Sequence, residues 1–187
     1  SGYAQASRAV GRVGLQGGLR LEHADTRFDL RSTGEAYDNR YTSLYPSASA
    51  LVDVGEGRSI RAGYSRRVQR PRTGQLNPFP LQEDSLSLLV GNPSLLPQYT
   101  NSFDLTLQTA GALGTLQVAP FYRRTTDLIR HYKTIDPATG VSTTTFRNFD
   151  RSSQFGLDVT TTGRLGSRLS GMLGANMAQV STSAENL

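Results

Sequence analysis

An apolar residue at every second position constrains this chain more than any other feature. From 13 to 22, Val13, Leu15, Leu19 and Leu21 alternate with Gly14, Gln16, Gly18, Arg20 and Glu22. Ile60, Ala62, Tyr64 and Val68 alternate with Arg61, Gly63, Ser65, Arg67 and Gln69, and only Arg66 breaks the order. Phe103, Leu105 and Leu107 alternate with Asp104, Thr106 and Gln108, and Phe155, Leu157 and Val159 with Gln154, Gly156, Asp158 and Thr160. Successive strand residues project to opposite faces, so this period of two specifies strands with one apolar and one polar face. No comparable window carries the helical period of 3.6. The pattern predicts about eight strands, at roughly 3–10, 13–30, 41–54, 58–70, 99–109, 112–134, 141–162 and 165–182.

Several of these exceed the usual strand length. Spans such as 13–30, 112–134 and 141–162 suit the strands of an outer-membrane barrel, which cross lipid in about ten residues and extend beyond it. The connections alternate as well. Tight turns at Gly11-Arg12, Gly55-Glu56-Gly57, Gly111-Ala112 and Gly163 to Ser167 interleave with longer links at 31–40, 71–98 and 135–140. Short turns on one rim and long loops on the other characterise a transmembrane barrel, which places Pro71 to Gln98 outside. Gly14, Gly17, Gly18, Gly63, Gly156, Gly171 and Gly174 fall inside strands, where glycine marks bends and curvature. Tyr3, Phe28, Tyr41, Tyr45, Tyr64, Tyr99, Phe121, Tyr122 and Phe155 fall mostly near strand ends, as interfacial girdles require. The same alternation also describes a soluble β-sandwich with one face as its core.

Composition removes other classes. With no Cys there is neither a disulfide scaffold nor a thiolate metal site. Apolar runs stay far below the roughly 20 residues of a spanning helix, and mean hydropathy is −0.39, so a membrane protein of this sequence crosses with strands. The start, SGYAQASRAV, lacks a secretory signal, so either the protein is not exported or the front is missing. The 20 basic residues, of which only Lys133 is not Arg, scatter among 15 acids instead of forming a stripe, which argues against nucleic acid as a partner.

From 58 to 107 the sequence reads RSIRAGYSRRVQRP, then QLNPF, then GNPSLLPQYTNSFDLTL; it continues through FYRRTTDLIR, DPATG and FRNFDRSSQFGLDVTT. This series resembles the β-barrel of TonB-dependent outer-membrane receptors, weakly before Tyr41 and more clearly from there to Ala178. The resemblance implies an all-β, antiparallel transmembrane β-barrel in the outer membrane of a Gram-negative bacterium, with residues 1–187 as a single barrel segment. It further implies that the family's plug domain, its TonB-contacting box and its closing strand with a terminal aromatic lie outside this chain, which ends in STSAENL. The implied function is import of a scarce solute, a metal chelate or an oligosaccharide. The implied partners are outer-membrane lipid and lipopolysaccharide, the extracellular solute, and the TonB complex through the missing amino-terminal region. Two alternatives stand beside it: an autonomous small eight-stranded barrel with an adhesive or structural role, and a soluble sandwich binding module.

No catalytic residue, metal site or cofactor is expected. His23 and His131 are the only imidazoles and lack zinc-ligand spacing, and no Gly-x-Ser-x-Gly elbow occurs. Gln16, Arg20, Glu22, Arg61, Ser65, Arg67, Asp104, Thr106, Gln108, Gln154 and Asp158 form the expected inward set. For ligand binding, the polar groups expected at the outer mouth are Arg70, Arg72, Gln75, Asn77, Gln82, Arg130 and Tyr132. Gly91, Asn92, Pro93 and Pro97 are expected to serve loop structure: Gly91 supplies backbone freedom, Asn92 is extended before Pro93, and Pro97 stiffens the approach to the next strand. Arg66-Arg67 and Arg123-Arg124 each place one guanidinium on either face, one toward lipid phosphate or lipopolysaccharide and one toward the lumen.

Overall fold

A computed structural model describes residues 1–30, 34–165 and 169–183. The strands are β1 (Gly2–Val10), β2 (Val13–Leu30), β3 (Glu35–Gly55), β4 (Arg58–Gln69), β5 (Leu81–Asp84), β6 (Ser87–Leu89), β7 (Gln98–Gly111), β8 (Gly114–Ile135), β9 (Ser142–Leu165) and β10 (Leu169–Ser183). One short helix, α1 (Thr73–Leu76), lies between β4 and β5. All the described strands belong to one 10-stranded sheet in the order β1-β2-β3-β4-β7-β8-β9-β6-β5, with β10 also on β9. Neighbours are antiparallel except for β6, whose three residues run parallel to the loop-side end of β9. Among the described residues nothing covers the apolar face and all strands lie in one sheet, not in the two of a sandwich. Among the described residues β1 pairs only with β2 and β10 only with β9, so these strands do not close into a small barrel of their own.

The register turns the sequence alternation into two chemically distinct surfaces. Gln16 sits opposite Ser49, Ser49 opposite Gly63, and Gly63 opposite Asp104, a polar row across four strands. One residue along, Leu15, Ala50, Ala62 and Leu105 form the apolar row. Every residue of the expected inward set falls in the polar series. Leu15 is 49% exposed and Leu173 75% exposed. Lipid, not protein, is the solvent that such side chains require.

Three sequence expectations change. The described strands number ten, because the 71–98 link contains α1, β5 and β6. The β2–β3 link is shorter than 31–40, since β3 starts at Glu35 and pairs with Leu30; residues 31–33 lie outside the described residues, as do 166–167 of the Gly163 to Ser167 turn and 184–187 of the terminal STSAENL. The aromatic girdle holds only in part. Tyr64, Phe103 and Tyr122 form one row on the apolar face with ring centroids 4.9 and 6.3 Å apart. Tyr45 and Phe121 belong instead to the polar series and are buried. Phe121 lies over Gly156, where a Cβ would come within 2.3 Å of its ring, so it fills the space the glycine leaves.

The turn-side rim is built by glycine. Gly114 opens β8 at φ 141°, and a Cβ there would stand 1.9 Å from the Thr162 carbonyl oxygen. Neither the angle nor the space admits another residue.

Candidate functional site

The loop-side ends of the strands are unequal, and that inequality makes the mouth. β4 stops at Gln69 and β7 starts at Gln98, directly opposite, whereas β2, β3, β8 and β9 run on beyond them. The chain between Gln69 and Gln98 folds into the notch. Leu95 is fully buried there and packs with Leu76 of α1 and Phe146 of β9, against Leu89 and Ile129. This is a small water-excluding core beyond the lipid band.

Three asparagines seat it. Asn39 of β3 donates through Nδ2 to the Leu95 carbonyl at 2.9 Å. Asn148 of β9 accepts from the Leu96 N–H at 2.8 Å and donates to the carbonyls of Leu96 and Asp127. Asn92 donates to the Phe146 carbonyl at 3.0 Å while its Oδ1 takes the Ser94 N–H. The loop is thereby tied to β3 on one side and β9 on the other. Neither Asn39 nor Asn148 carries a sequence signal, because each lies in an ordinary strand and finds its partner 52 or more residues away.

Within this frame the expected loop residues take specific places. Gly91 has no positive φ among the backbone outliers. Its role is space, since a Cβ would meet the Asn77 carbonyl oxygen at 2.4 Å where the Gly91 N–H binds it; close approach replaces the expected backbone freedom. Pro97 is buried just before β7, and Pro93 is half-buried. Arg72, Gln75 and Asn77 are brought together in the α1 turn. The Gln75 side chain accepts the Arg72 N–H at 2.8 Å, and the Asn77 side chain accepts that of Phe79 at 3.2 Å. Gln82 stands exposed on β5, opposite Leu88. Arg130 and Tyr132 sit apart from these on β8, where Arg147 faces Arg130 in register and stacks its guanidinium 3.9 Å over the Tyr132 ring.

Arg70 reaches the polar face. It donates to the Glu22 carboxylate and to the Tyr41 oxygen. Arg20 approaches the same carboxylate at 3.4 Å and lies 4.9 Å over the Tyr45 ring. Burial pushes the Tyr41 phenol above its ordinary value against the opposing pull of Arg70, so it stays a neutral hydroxyl. Two guanidiniums thus share one carboxylate whose side chain is 17% exposed, leaving excess positive charge at the mouth. Deeper on the same face, Arg61, Arg67 and Arg123 have no ion pair among the described residues; Arg123 stacks 4.3 Å over Phe121. Such a surface offers donors to anionic or oxygen-rich groups. Among the described residues no cluster of His, Asp or Glu could hold a metal ion, and no helix is long and apolar enough to cross a membrane.

One continuous sheet, polar on one face and apolar on the other, with turns on one rim and a packed mouth on the other, defines an outer-membrane β-barrel wall. The chain belongs to the outer membrane protein beta-barrel family, whose model matches residues 1–187. Its fold is that of the receptors it resembles. The siderophore receptor PirA from Pseudomonas aeruginosa superposes with a TM-score of 0.77 at 18% identity, over 96% of this chain and 34% of that one. The copper transporter OprC gives 0.72 at 17%, over 97% and 29%. The hemophore receptor HasR of Serratia marcescens, a double mutant in complex with its hemophore HasA and heme, gives 0.70 at 16%, over 98% and 33%. No curated protein sequence matches the chain. The chain is the wall of an outer-membrane barrel, in the outer membrane of a Gram-negative bacterium. It spans about a third of the length of these structures.

Proposed function

We propose that this chain forms part of the wall and mouth of a receptor that captures a scarce extracellular solute, a metal chelate or an oligosaccharide, and imports it. The observation that carries this reading is the polar face with its cationic mouth, where Arg20 and Arg70 converge on a single Glu22 beside the packed 70–97 loop. The similar structures include receptors named for a siderophore, for copper and for heme-bearing hemophore. On this reading the open edges of β1 and β10 continue into further strands of a larger barrel. Edges in lipid demand that, because unpaired backbone groups there cost several kcal/mol each. A plug inside that barrel, coupled to the TonB complex, supplies the energised step.

The test is uptake by cells in which the complete receptor gene is deleted or carries Arg70→Ala. Radiolabelled ferric chelate, copper, heme and a labelled maltooligosaccharide are each offered as the limiting source. Deletion abolishes uptake of one of them and Arg70→Ala weakens it. Parental uptake of all four in the deleted strain overturns the reading.

A further inference from the structure

The sheet forks on its loop side. The ladder between β3 and β4 ends at Ser47 opposite Ser65, while β2–β3 pairing runs on to Glu35 and β4–β7 pairing to Gln69. Pro46 stands where the next rung would fall and has no N–H to give to a ladder. Beyond the fork the two arms are joined by side chains: Arg70 to Glu22 and Tyr41, Asn39 to the Leu95 carbonyl, and Ser43 to the Tyr99 hydroxyl. The last of these crosses the wall. Tyr99 shares its register face with Asn101 and Phe103, and Ser43 shares the polar series with Tyr45, so the two faces meet at the fork.

Among the described residues only two buried side-chain polar atoms lack a hydrogen-bond partner, Tyr45 Oη and Arg66 Nε, and both belong to the fork. Tyr45 is two residues from the last rung on β3 and Arg66 one residue from it on β4, each within about 7 Å along its strand. Tyr45 is 5% exposed. The Arg66 guanidinium stacks 4.7 Å over the Tyr99 ring, and that of Arg20 lies 4.9 Å over the Tyr45 ring. Arg20 has Glu22 as counter-charge, shared with Arg70, whereas Arg66 has no salt bridge among the described residues. A cation packed into the wall without an acid is costly until an anion reaches it. The groups at the fork are donors. Arg66 brings its Nε–H and Tyr45 its O–H, and the Ser43 and Tyr99 hydroxyls, which share one hydrogen bond, keep one O–H between them to donate.

We propose that the fork between β3 and β4 binds one small monovalent anion, held by Arg66, Tyr45 and the Ser43–Tyr99 hydroxyl pair, and that this ion fastens the upper arm of β3 to β4. Charge sets the class of ligand. One uncompensated guanidinium is neutralised by one negative charge, and a halide, which has no fixed acceptor direction, takes hydrogen bonds from hydroxyl and N–H alike. Chloride is the halide a cell surface meets. The site belongs to the construction of the wall and is independent of which solute the receptor captures.

Crystals of the complete receptor grown in bromide are expected to show an anomalous peak within hydrogen-bonding distance of Arg66 Nε and Tyr45 Oη. In detergent solution at matched ionic strength, amide exchange across 39–46 is expected to slow about tenfold in chloride relative to gluconate once chloride stands at about ten times its Kd. Arg66→Gln abolishes the difference, and Tyr45→Phe, which removes only the hydroxyl, reduces it severalfold. Arg58→Gln, whose guanidinium pairs with Glu56 on the opposite rim, keeps it. Should Arg66→Gln fail to assemble, Tyr45→Phe and the bromide peak decide the matter. An ordered water at the fork with no bromide peak overturns the site. Equal exchange in the two salts overturns it too, as does a chloride effect that survives unchanged in Arg66→Gln or Tyr45→Phe.

Discussion

Leu95 and Leu105 are ten residues apart in the same hairpin, yet they live in opposite surroundings. Leu95 is 0% exposed within the protein, sealed by Leu76 and Phe146, whereas Leu105 leaves 38% of its surface outside it. The membrane-spanning sheet uses lipid as its apolar phase and keeps its hydrogen bonds in the ladder. The mouth, beyond lipid, must make a core from its own side chains and satisfy irregular backbone with Asn39, Asn92 and Asn148. One residue type is therefore stabilised by two different solvents within one chain.

The sharpest test is to delete the same side chain in both places. Leu95→Ala leaves a protein-walled cavity and is expected to cost about 2–5 kcal/mol locally, read as faster hydrogen exchange and proteolysis across 90–97 with the sheet unchanged. Leu105→Ala is expected to cost only about 1 kcal/mol, because mobile lipid tails refill the space. Equal costs would break the comparison.

Charge reverses the order. Leu105→Arg places a guanidinium against lipid and is expected to cost about 2–4 kcal/mol in folding titrations of the complete barrel into vesicles. Leu96→Arg, at a mouth position 52% exposed, is expected to stay within about 0.5 kcal/mol. A smaller effect follows from Asn148→Ala, which strands the Leu96 N–H and two carbonyls and is expected to cost about 1–3 kcal/mol. It should appear as loop cleavage by added protease, with unchanged resistance in the strands.

The smallest effect separates the mouth by pH. The Asp136 carboxyl is held below its ordinary value near 3.8, first by the Thr139 hydroxyl and then by the Ala138 N–H. A depressed folded value means that the contribution is complete above the ordinary range and is lost as pH falls through the lowered value. Amide protection at Ala138 should therefore follow the intrinsic exchange rate from neutral pH down to about 4 and fail only below it. Asp136→Asn removes that acid step. An acid step persisting in the variant would assign it to another group.

The two regions also differed in what could be read from residues alone. Alternation at 13–22, 60–69, 103–108 and 154–160 assigned both faces, because strand geometry makes side-chain direction a local property. Turn chemistry at Gly11, Gly55 and Gly57 located the short rim in the same way, each with positive φ. Tyr45 and Phe121 were misplaced as girdle aromatics, since propensity reports that a ring favours a strand and not which gap it fills. At the mouth, the Gln75 and Asn77 side chains accept backbone N–H groups around α1, Arg72 lending its own N–H, while the residues that seat the loop had no motif.

Period and turn spacing by themselves determined an all-β chain with one apolar and one polar face, because each is a short-range consequence of backbone geometry. Only the tertiary structure decided that Leu95 would meet Leu76 and Phe146, that Arg70 and Arg20 would converge on Glu22, and that Tyr99 would reach Ser43 beside Arg66. Those meetings depend on the register between strands, a long-range quantity that no local pattern encodes.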